Sequence, residues 1–146
     1  MPNMLRNVLA VIAGIVIGGL VNMAIIAVSP SIIPLPAGVS PNDPESLSKA
    51  MHLFAPRHFV MPFLAHALGT LAGALAAFLI AATHKARIAY AIGVVFLCGG
   101  IAASFMIPAP AWFIALDLLV AYLPMAWLAT RIGAATTSKK MHPSVT

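Results

Sequence analysis

Four polar side chains lie inside long apolar runs of this chain, and their types are suited to holding or moving a proton. They are Asn22, His66, Ser104 and Asp117. Asp117 is the only acidic residue within such a run, where a carboxylate costs about 2.5 to 3.5 kcal/mol in insertion experiments. His66 carries the imidazole ring, whose charge changes most readily near neutral pH. Together they predict either a proton-binding or cation-binding pair, or a polar contact that ties helices together.

Two further polar residues, Thr70 and Tyr122, predict a second tier of the same layer. Thr70 follows His66 by four residues, which places both on one face of a helix. Tyr122 follows Asp117 by five residues. We expect Asn22 and Ser104, by contrast, to support their neighbours rather than to react.

The composition shows what must position these side chains. Of the 146 residues, 62% are hydrophobic and 8% are charged, and the mean hydropathy is +1.02. Soluble domains contain about 45 to 50% apolar and about 25% charged residues, so this is predicted to be an integral membrane protein. The apolar runs predict an all-α bundle of four transmembrane helices, at about 8–28, 59–82, 88–107 and 112–130. These form one domain over 1–135, followed by a polar cytoplasmic tail at 136–146 that we expect to be largely disordered.

The long connection between the first two crossings contains a predicted surface helix at about 44–54. Asp43, Pro44 and Glu45 are the residue types found at a helix start. Apolar residues then recur at helical spacing, at Leu47, Ala50, Met51 and Phe54. We expect this amphipathic helix to cover the outer mouth of the bundle.

The basic residues predict the orientation. Most of them flank one set of helix ends: Arg6, Lys85, Arg87, Arg131, Lys139 and Lys140. The positive-inside rule therefore places both termini in the cytoplasm of a bacterium, with the protein in the inner membrane. At ~1.5 Å per residue, the four polar side chains then lie roughly 5 to 10 Å below the outer surface. Arg57, His52 and His58 predict interfacial anchoring of the second helix or, less directly, a cationic patch.

Pairs of glycines predict where helices pack closely. Gly14 and Gly18 are spaced by four residues in the first crossing, as are Gly69 and Gly73 in the second. Small residues at this spacing allow two helix backbones to approach. A bundle this small encloses little space, so a homo-oligomer or membership of a larger membrane complex is expected.

Several classes of function lack their residues. The single Cys98 excludes an intramolecular disulfide. His66 is the only histidine within a predicted crossing, so paired axial ligands for haem are missing. No zinc, di-iron, nucleophile-elbow or phosphate-loop motif is present, and we predict no catalytic residue, metal or cofactor. The basic residues lie beside helix ends, which favours the bilayer over nucleic acid as the partner.

Five segments carry a resemblance that covers nearly the whole chain. They are Val21-Asn22-Met23, 50–54 (AMHLF), 63–70 (FLAHALGT), 112–117 (WFIALD) and 122–127 (YLPMAW). In these segments the chain resembles a family of small bacterial four-helix inner-membrane proteins. The resemblance implies the fold and the location but no activity. The chain is also similar in size to small multidrug-resistance exporters, but these carry an essential acid in the first helix, where this chain has only Asn22.

Three functions remain open from the sequence. In the first, the layer of polar residues binds or passes a proton, a cation or a small polar solute. In the second, the chain is a structural or accessory subunit of a larger membrane complex, without catalysis. The third is a membrane enzyme acting on a lipid or quinone headgroup, with His66 as base and Asp117 as its orienting partner.

Overall fold

The computed structural model describes residues 1–40 and 43–141, and within them all regular structure is helical. The helices are α1 (Asn3–Ile32), α2 (Pro44–Ala50), α3 (Val60–Ile80), α4 (Lys85–Met106), α5 (Ala111–Val120) and α6 (Leu123–Met141), with 3₁₀ turns at Met51–Leu53 and Pro56–Phe59. Four stretches of the described chain are long and apolar enough to cross a membrane: Asn3–Ile32, Pro56–Ile80, Lys85–Met106 and Ala111–Ser138. The prediction of an all-α chain with four such helices is confirmed.

Helix α3 is the central element of the bundle. It packs against α1 along most of its length, and it also contacts α4, α5 and α6. Its buried residues are mostly small, among them Ala65, Gly69, Gly73 and Ala77. Small side chains on several faces of one helix let the neighbouring helices approach from different sides.

The close contact between α1 and α3 is made by the four glycines that the spacing singled out. A Cβ atom on Gly14 would lie 2.8 Å from the carbonyl oxygen of Gly73, and one on Gly18 would lie 2.7 Å from that of Gly69. Both distances are too short for a side chain. The two backbones therefore touch because these positions have no Cβ.

The bundle has two distinct ends, which we call the cap end and the turn end. At the cap end, α2 and the two 3₁₀ turns (43–59, the cap) belong to the connection that leads from α1 to α3. At the turn end, the tight turn between α3 and α4 is held by α1, because Asn7 Oδ1 accepts hydrogen bonds from the backbone N–H groups of Ala82 and Thr83 at 2.9 and 3.2 Å. Arg6 Nε donates to the carbonyl oxygen of Ile80 at 2.6 Å.

The half of the bundle near the turn end is filled by a hydrophobic core. Its buried members come from α3, α4 and α6: Ala74, Ala77, Phe78, Ala89, Ile92, Ala126 and Ala129. Five of these seven residues are alanine, so the three helices pack closely without large side chains between them.

The fourth apolar stretch is broken into α5 and α6 at Ala121 and Tyr122. Pro124 explains the break, since proline has no N–H to donate to the carbonyl oxygen of Val120 and its ring clashes with that carbonyl. The chain resumes a regular helix at once, as the hydrogen bond from Ala126 N to Tyr122 O shows. The fourth apolar stretch therefore consists of two helical segments that meet at Ala121 and Tyr122.

Helix boundaries differ from those predicted by apolar content. Helix α1 begins at Asn3 and continues through Pro30 to Ile32, beyond the predicted 8–28. The α-helical part of the cap ends at Ala50, before the predicted end at about 54. Helix α6 continues to Met141, so the predicted polar tail is helical from 136 to 141, whereas 142–146 lie outside the described residues.

Candidate functional site

A cavity of about 240 Å³ lies beneath the cap. The cap contributes Leu47, Met51, Phe54, His58 and Phe59 to its walls, and the rest comes from α1 and the segment after it, from α3, α4 and α5, and from the turn before α5. His66, Gly100 and Asp117 line its deep end. Its volume is about eight times the roughly 30 Å³ that one water occupies in the liquid, so it has room for a small molecule or a headgroup.

The structure brings His66 and Asp117 together at that deep end. His66 Nδ1 lies 2.9 Å from Oδ1 and 2.9 Å from Oδ2 of Asp117. A carboxylate only accepts hydrogen bonds, so Nδ1 carries the proton and Nε2 has a free lone pair in the neutral ring. Nε2 makes no hydrogen bond to any described residue, and the His66 side chain is 26% exposed.

Tyr122 completes the cluster, although the sequence placed it in a second tier. Its hydroxyl donates to Oδ2 of Asp117 at 2.8 Å, and its ring stacks on that of His66 with centroids 5.8 Å apart. Asp117 is 4% exposed and Tyr122 is 2% exposed. The carboxylate therefore exchanges its hydration for an imidazole N–H and a phenol O–H, which offsets the cost of burying it.

The break between α5 and α6 explains how Tyr122 reaches Asp117. In a continuous α-helix, residues five apart point about 140° away from each other. Because the helix is interrupted at Ala121 and Tyr122, the Tyr122 side chain turns back toward α5. Pro124, two residues further on, is thus a structural cause of the site.

Gly100 of α4 makes room for the Tyr122 ring. A Cβ atom at Gly100 would collide with the hydroxyl and with the ring carbons of Tyr122. The neighbouring Gly99 differs, since a Cβ there would meet nothing within 4 Å. Sequence analysis missed Gly100, and the pair Gly99-Gly100 in an apolar run was the one available signal.

The remaining predicted polar residues do not join the cluster. Ser104 lines the same cavity, but its hydroxyl donates to the carbonyl oxygen of Ile101 on its own helix at 2.7 Å. Asn22 packs against Gly69, and its Oδ1 atom is buried without a hydrogen-bond partner among the described residues. Thr70 Oγ1 is in the same situation. The predicted layer of four residues therefore reduces to His66 and Asp117, with Ser104 on the cavity wall.

His58 is a second histidine of the cavity. Its side chain was predicted to anchor α3 at the membrane surface or to join a cationic patch, but the residue is only 8% exposed and lines the cavity. Its Nδ1 atom accepts a hydrogen bond from the backbone N–H of Ala55 at 2.8 Å. Sequence analysis had no signal for this, because polar residues at a helix end have the same appearance whether they face lipid headgroups or the protein.

An aromatic cluster forms the wall near the cap. Phe59 packs against Phe113 with ring centroids 4.8 Å apart, and against Trp112 at 5.5 Å. Phe54 of the cap lies 5.3 Å from the His58 ring and 6.0 Å from the Phe59 ring. Aromatic and aliphatic side chains thus make up most of the cavity surface, with polar groups at a few positions. This combination is typical of sites for small amphipathic molecules.

The chemistry open to the site is hydrogen bonding and proton exchange. Within 1–40 and 43–141, no group of three or more His, Cys, Asp or Glu side chains is placed to hold a metal ion. An imidazole whose Nδ1 is held by a carboxylate and whose Nε2 is free can accept a proton or a hydroxyl hydrogen bond at Nε2.

Comparison of the chain with family models, with curated proteins and with solved structures gives no match.

Proposed function

We propose that this chain is a multi-pass protein of the bacterial inner membrane that binds a small amphipathic solute in the cavity beneath the cap. In this proposal His66 forms a hydrogen bond with the polar group of the solute and exchanges a proton with it. The observation that carries the proposal is the His66–Asp117 pair, 2.9 Å apart at the deep end of a cavity with apolar walls. Intramembrane ionisable residues that face a cavity mark binding sites by default.

Asp117 and Tyr122 have supporting roles in this proposal. Asp117 keeps the proton of His66 on Nδ1, so that Nε2 points a lone pair at the solute. Tyr122 fixes the carboxylate through its 2.8 Å hydrogen bond. The solute-binding atom is thus held in place by two further side chains, as in preorganised sites generally.

The closed core near the turn end favours binding over passage. Ala74, Ala77, Ile92 and the other residues of that core are buried and apolar, and they fill the space between the cavity and the turn end. A solute therefore enters and leaves at the cap end. By the distribution of lysine and arginine, this is the periplasmic end.

The outer surface of the bundle supports the membrane location. Large apolar side chains on α1 are exposed, including Leu20 at 64% and Met23 at 63%. A soluble monomer rarely exposes a continuous apolar surface of this kind. Lipid is the solvent that such a surface requires.

The same geometry favours one second candidate, an enzyme acting on a lipid or quinone headgroup. A histidine held at Nδ1 by a buried carboxylate is the arrangement of a general base with its orienting group. The apolar walls would accept the chain of a lipid. In that case His66 would take a proton from a hydroxyl or a water at the headgroup.

Photolabelling of the protein in lipid nanodiscs tests the proposal. The probe is an eight-carbon alcohol that carries an aliphatic diazirine, and mass spectrometry maps the labelled residues. We expect labelling at cavity residues such as Met61, Phe113 and Ile114. Labelling of Phe105, which is 85% exposed, measures the background from lipid. Competition by 1-octanol should exceed competition by octane at equal membrane concentration.

His66→Asn is the decisive variant, because its amide replaces Nδ1 as the donor to Asp117 but has no atom in the place of Nε2. We expect cavity labelling, relative to Phe105, to fall about fivefold to tenfold, the value of one hydrogen bond. Ser104→Ala is the matched control, since this wall hydroxyl already bonds to its own helix. Unchanged labelling in His66→Asn would contradict the proposal. If His66→Asn kept its cavity labelling but no longer assembled with other proteins, the accessory-subunit function would be favoured.

A further inference from the structure

The two histidines of the cavity have opposite hydrogen-bonding roles. His58 Nδ1 accepts the hydrogen bond of the Ala55 N–H at 2.8 Å, so this atom carries no proton. The proton of the neutral His58 ring must then be on Nε2, which is a donor. In His66, Nδ1 donates to Asp117, and Nε2 is an acceptor. Backbone and carboxylate partners thus fix two different tautomers.

Both Nε2 atoms are available to a ligand. Neither forms a hydrogen bond with a described residue, and neither is among the buried polar atoms that lack a partner. Both residues line the same cavity. His58 is nine-tenths buried, so its ring is a fixed part of the wall rather than a mobile surface group.

The spacing along the chain separates the two groups. His58 lies in the 3₁₀ turn of the cap that leads into α3, and His66 lies eight residues later within α3, about 12 Å further at ~1.5 Å per residue. The wall between them includes Phe59, Met61, Pro62 and Phe113. A donor near the cap and an acceptor at the deep end are therefore separated by an apolar surface.

We infer that the cavity selects a neutral hydroxy-carbonyl compound, with a hydroxyl group at His66 Nε2, a carbonyl oxygen at His58 Nε2–H, and an apolar segment between them. The inference rests on the proposed function and names the ligand class for the same site. A carboxylate at the deep end is disfavoured, because it would lie beside the carboxylate of Asp117. A plain alkane leaves both histidine atoms without a partner, which costs affinity.

Three competitors of equal chain length test this against the diazirine alcohol in nanodiscs. They are 8-hydroxy-2-octanone, 1-octanol and 2-octanone, compared at equal membrane concentration. We expect the hydroxy-ketone to compete at about fivefold to tenfold lower concentration than 1-octanol, since it adds one hydrogen bond. 2-Octanone should be weaker than the hydroxy-ketone by a similar factor, because it lacks the hydroxyl.

Two substitutions of His58 distinguish the role of its Nδ1 atom from that of its Nε2 atom. His58→Asn keeps an acceptor for the Ala55 N–H but has no donor in the place of Nε2, so the advantage of the hydroxy-ketone over 1-octanol should vanish. His58→Gln places an amide N–H near the Nε2 position and should retain part of that advantage. 1-Octanol, competed in the same variants, provides the reference from which this advantage is calculated.

Nitrogen-15 NMR of the unmodified protein tests the tautomers without any ligand, and variants serve only to assign the signals. We expect His58 to be protonated at Nε2 and His66 at Nδ1, with His66→Asn and His58→Asn used for assignment. If His58 were protonated at Nδ1 instead, or if the hydroxy-ketone competed no better than 1-octanol, the inference would be overturned while the proposed function stood. If none of the three compounds competed, both would fail.

Discussion

At the scale of single residues, the site depends on how Asp117 is satisfied. A carboxylate within an apolar segment costs about 2.5 to 3.5 kcal/mol, and its two partners, His66 and Tyr122, both donate to it within 3 Å. Removing one donor leaves part of that cost uncompensated. The same contacts that hold the carboxylate also set the tautomer of His66, so stability and binding are linked at this position.

Tyr122→Phe tests the hydrogen bond that the Tyr122 hydroxyl donates to Asp117. The ring keeps its packing, but the hydrogen bond to Asp117 is lost, and we expect the free energy of unfolding to fall by about 1.5 to 3 kcal/mol, the usual value for a bond to a charged group. SDS titration of the protein in mixed micelles measures it. Tyr90→Phe is the control, since Tyr90 is 37% exposed and makes no side-chain hydrogen bond to a described residue. Equal effects of the two substitutions would show that the hydroxyl of Tyr122 contributes nothing specific.

Gly100→Ala tests the space in which Tyr122 lies. The new methyl group would collide with the Tyr122 ring, and we expect a loss of about 1 to 3 kcal/mol from overpacking, together with weaker photolabelling of the cavity. Gly99→Ala is the matched control, because a Cβ atom at this neighbouring position would meet nothing within 4 Å. It should be neutral or slightly stabilising, because alanine favours helix over glycine by up to about 1 kcal/mol. A neutral Gly100→Ala with intact labelling would contradict this account of how Tyr122 is positioned.

Part of this site could be predicted from the sequence, and there is a physical reason why the rest could not. Ionisable residues in apolar runs are conspicuous, so His66 and Asp117 could be found, and their depth along the helices could be counted. The rotation of each helix about its axis, which decides the residues that its side chains face, could not be obtained from such a count. Asn22 and Ser104 lie at a similar predicted depth, but Asn22 packs against Gly69 and Ser104 bonds to its own helix. Tyr122 reaches Asp117 across the break before Pro124.

At the scale of helices, apolar content marks the segment that lipid would surround, whereas the helix itself continues as long as the backbone allows. Arg6 and Asn7 therefore lie within α1, where they bond to the turn after α3. Beyond Thr130, no proline occurs before Pro143, and α6 continues to Met141 accordingly. The four glycines could be predicted because their role depends on spacing alone.

Gly18→Ala tests the contact between α1 and α3. A methyl group there would meet the carbonyl oxygen of Gly69 and the Phe96 ring at 2.7 Å, and we expect the two helices to separate at a cost of about 1 to 3 kcal/mol. Gly19→Ala, with nothing within 4 Å, is the matched control and should not destabilise the bundle. SDS titration compares the two. A destabilised Gly19→Ala would indicate a partner helix on the outer face of α1, which would favour the oligomer.

At the scale of the whole molecule, the positions of charge and cavity can be considered together. The chain carries a formal net charge of +5, and most of the basic residues lie at the turn end, away from the cavity. In a bilayer this asymmetry would keep the turn end in the cytoplasm. The cavity would then open, beneath its cap, toward the periplasmic surface, where a solute arrives without crossing the cytoplasm.

Cysteine accessibility tests this orientation. On a Cys98→Ala background, we expect a cysteine at Ala37, which is exposed near the cap, to react with a membrane-impermeant maleimide in intact spheroplasts. A cysteine at Ala134, exposed on α6 near the turn end, should react only after lysis. The reverse pattern would place the cap in the cytoplasm, and the solute of the cavity would then have to be a cytoplasmic one. Reaction at both positions before lysis would mean that the chain does not hold a single orientation. The positive charges at the turn end would then not determine the orientation.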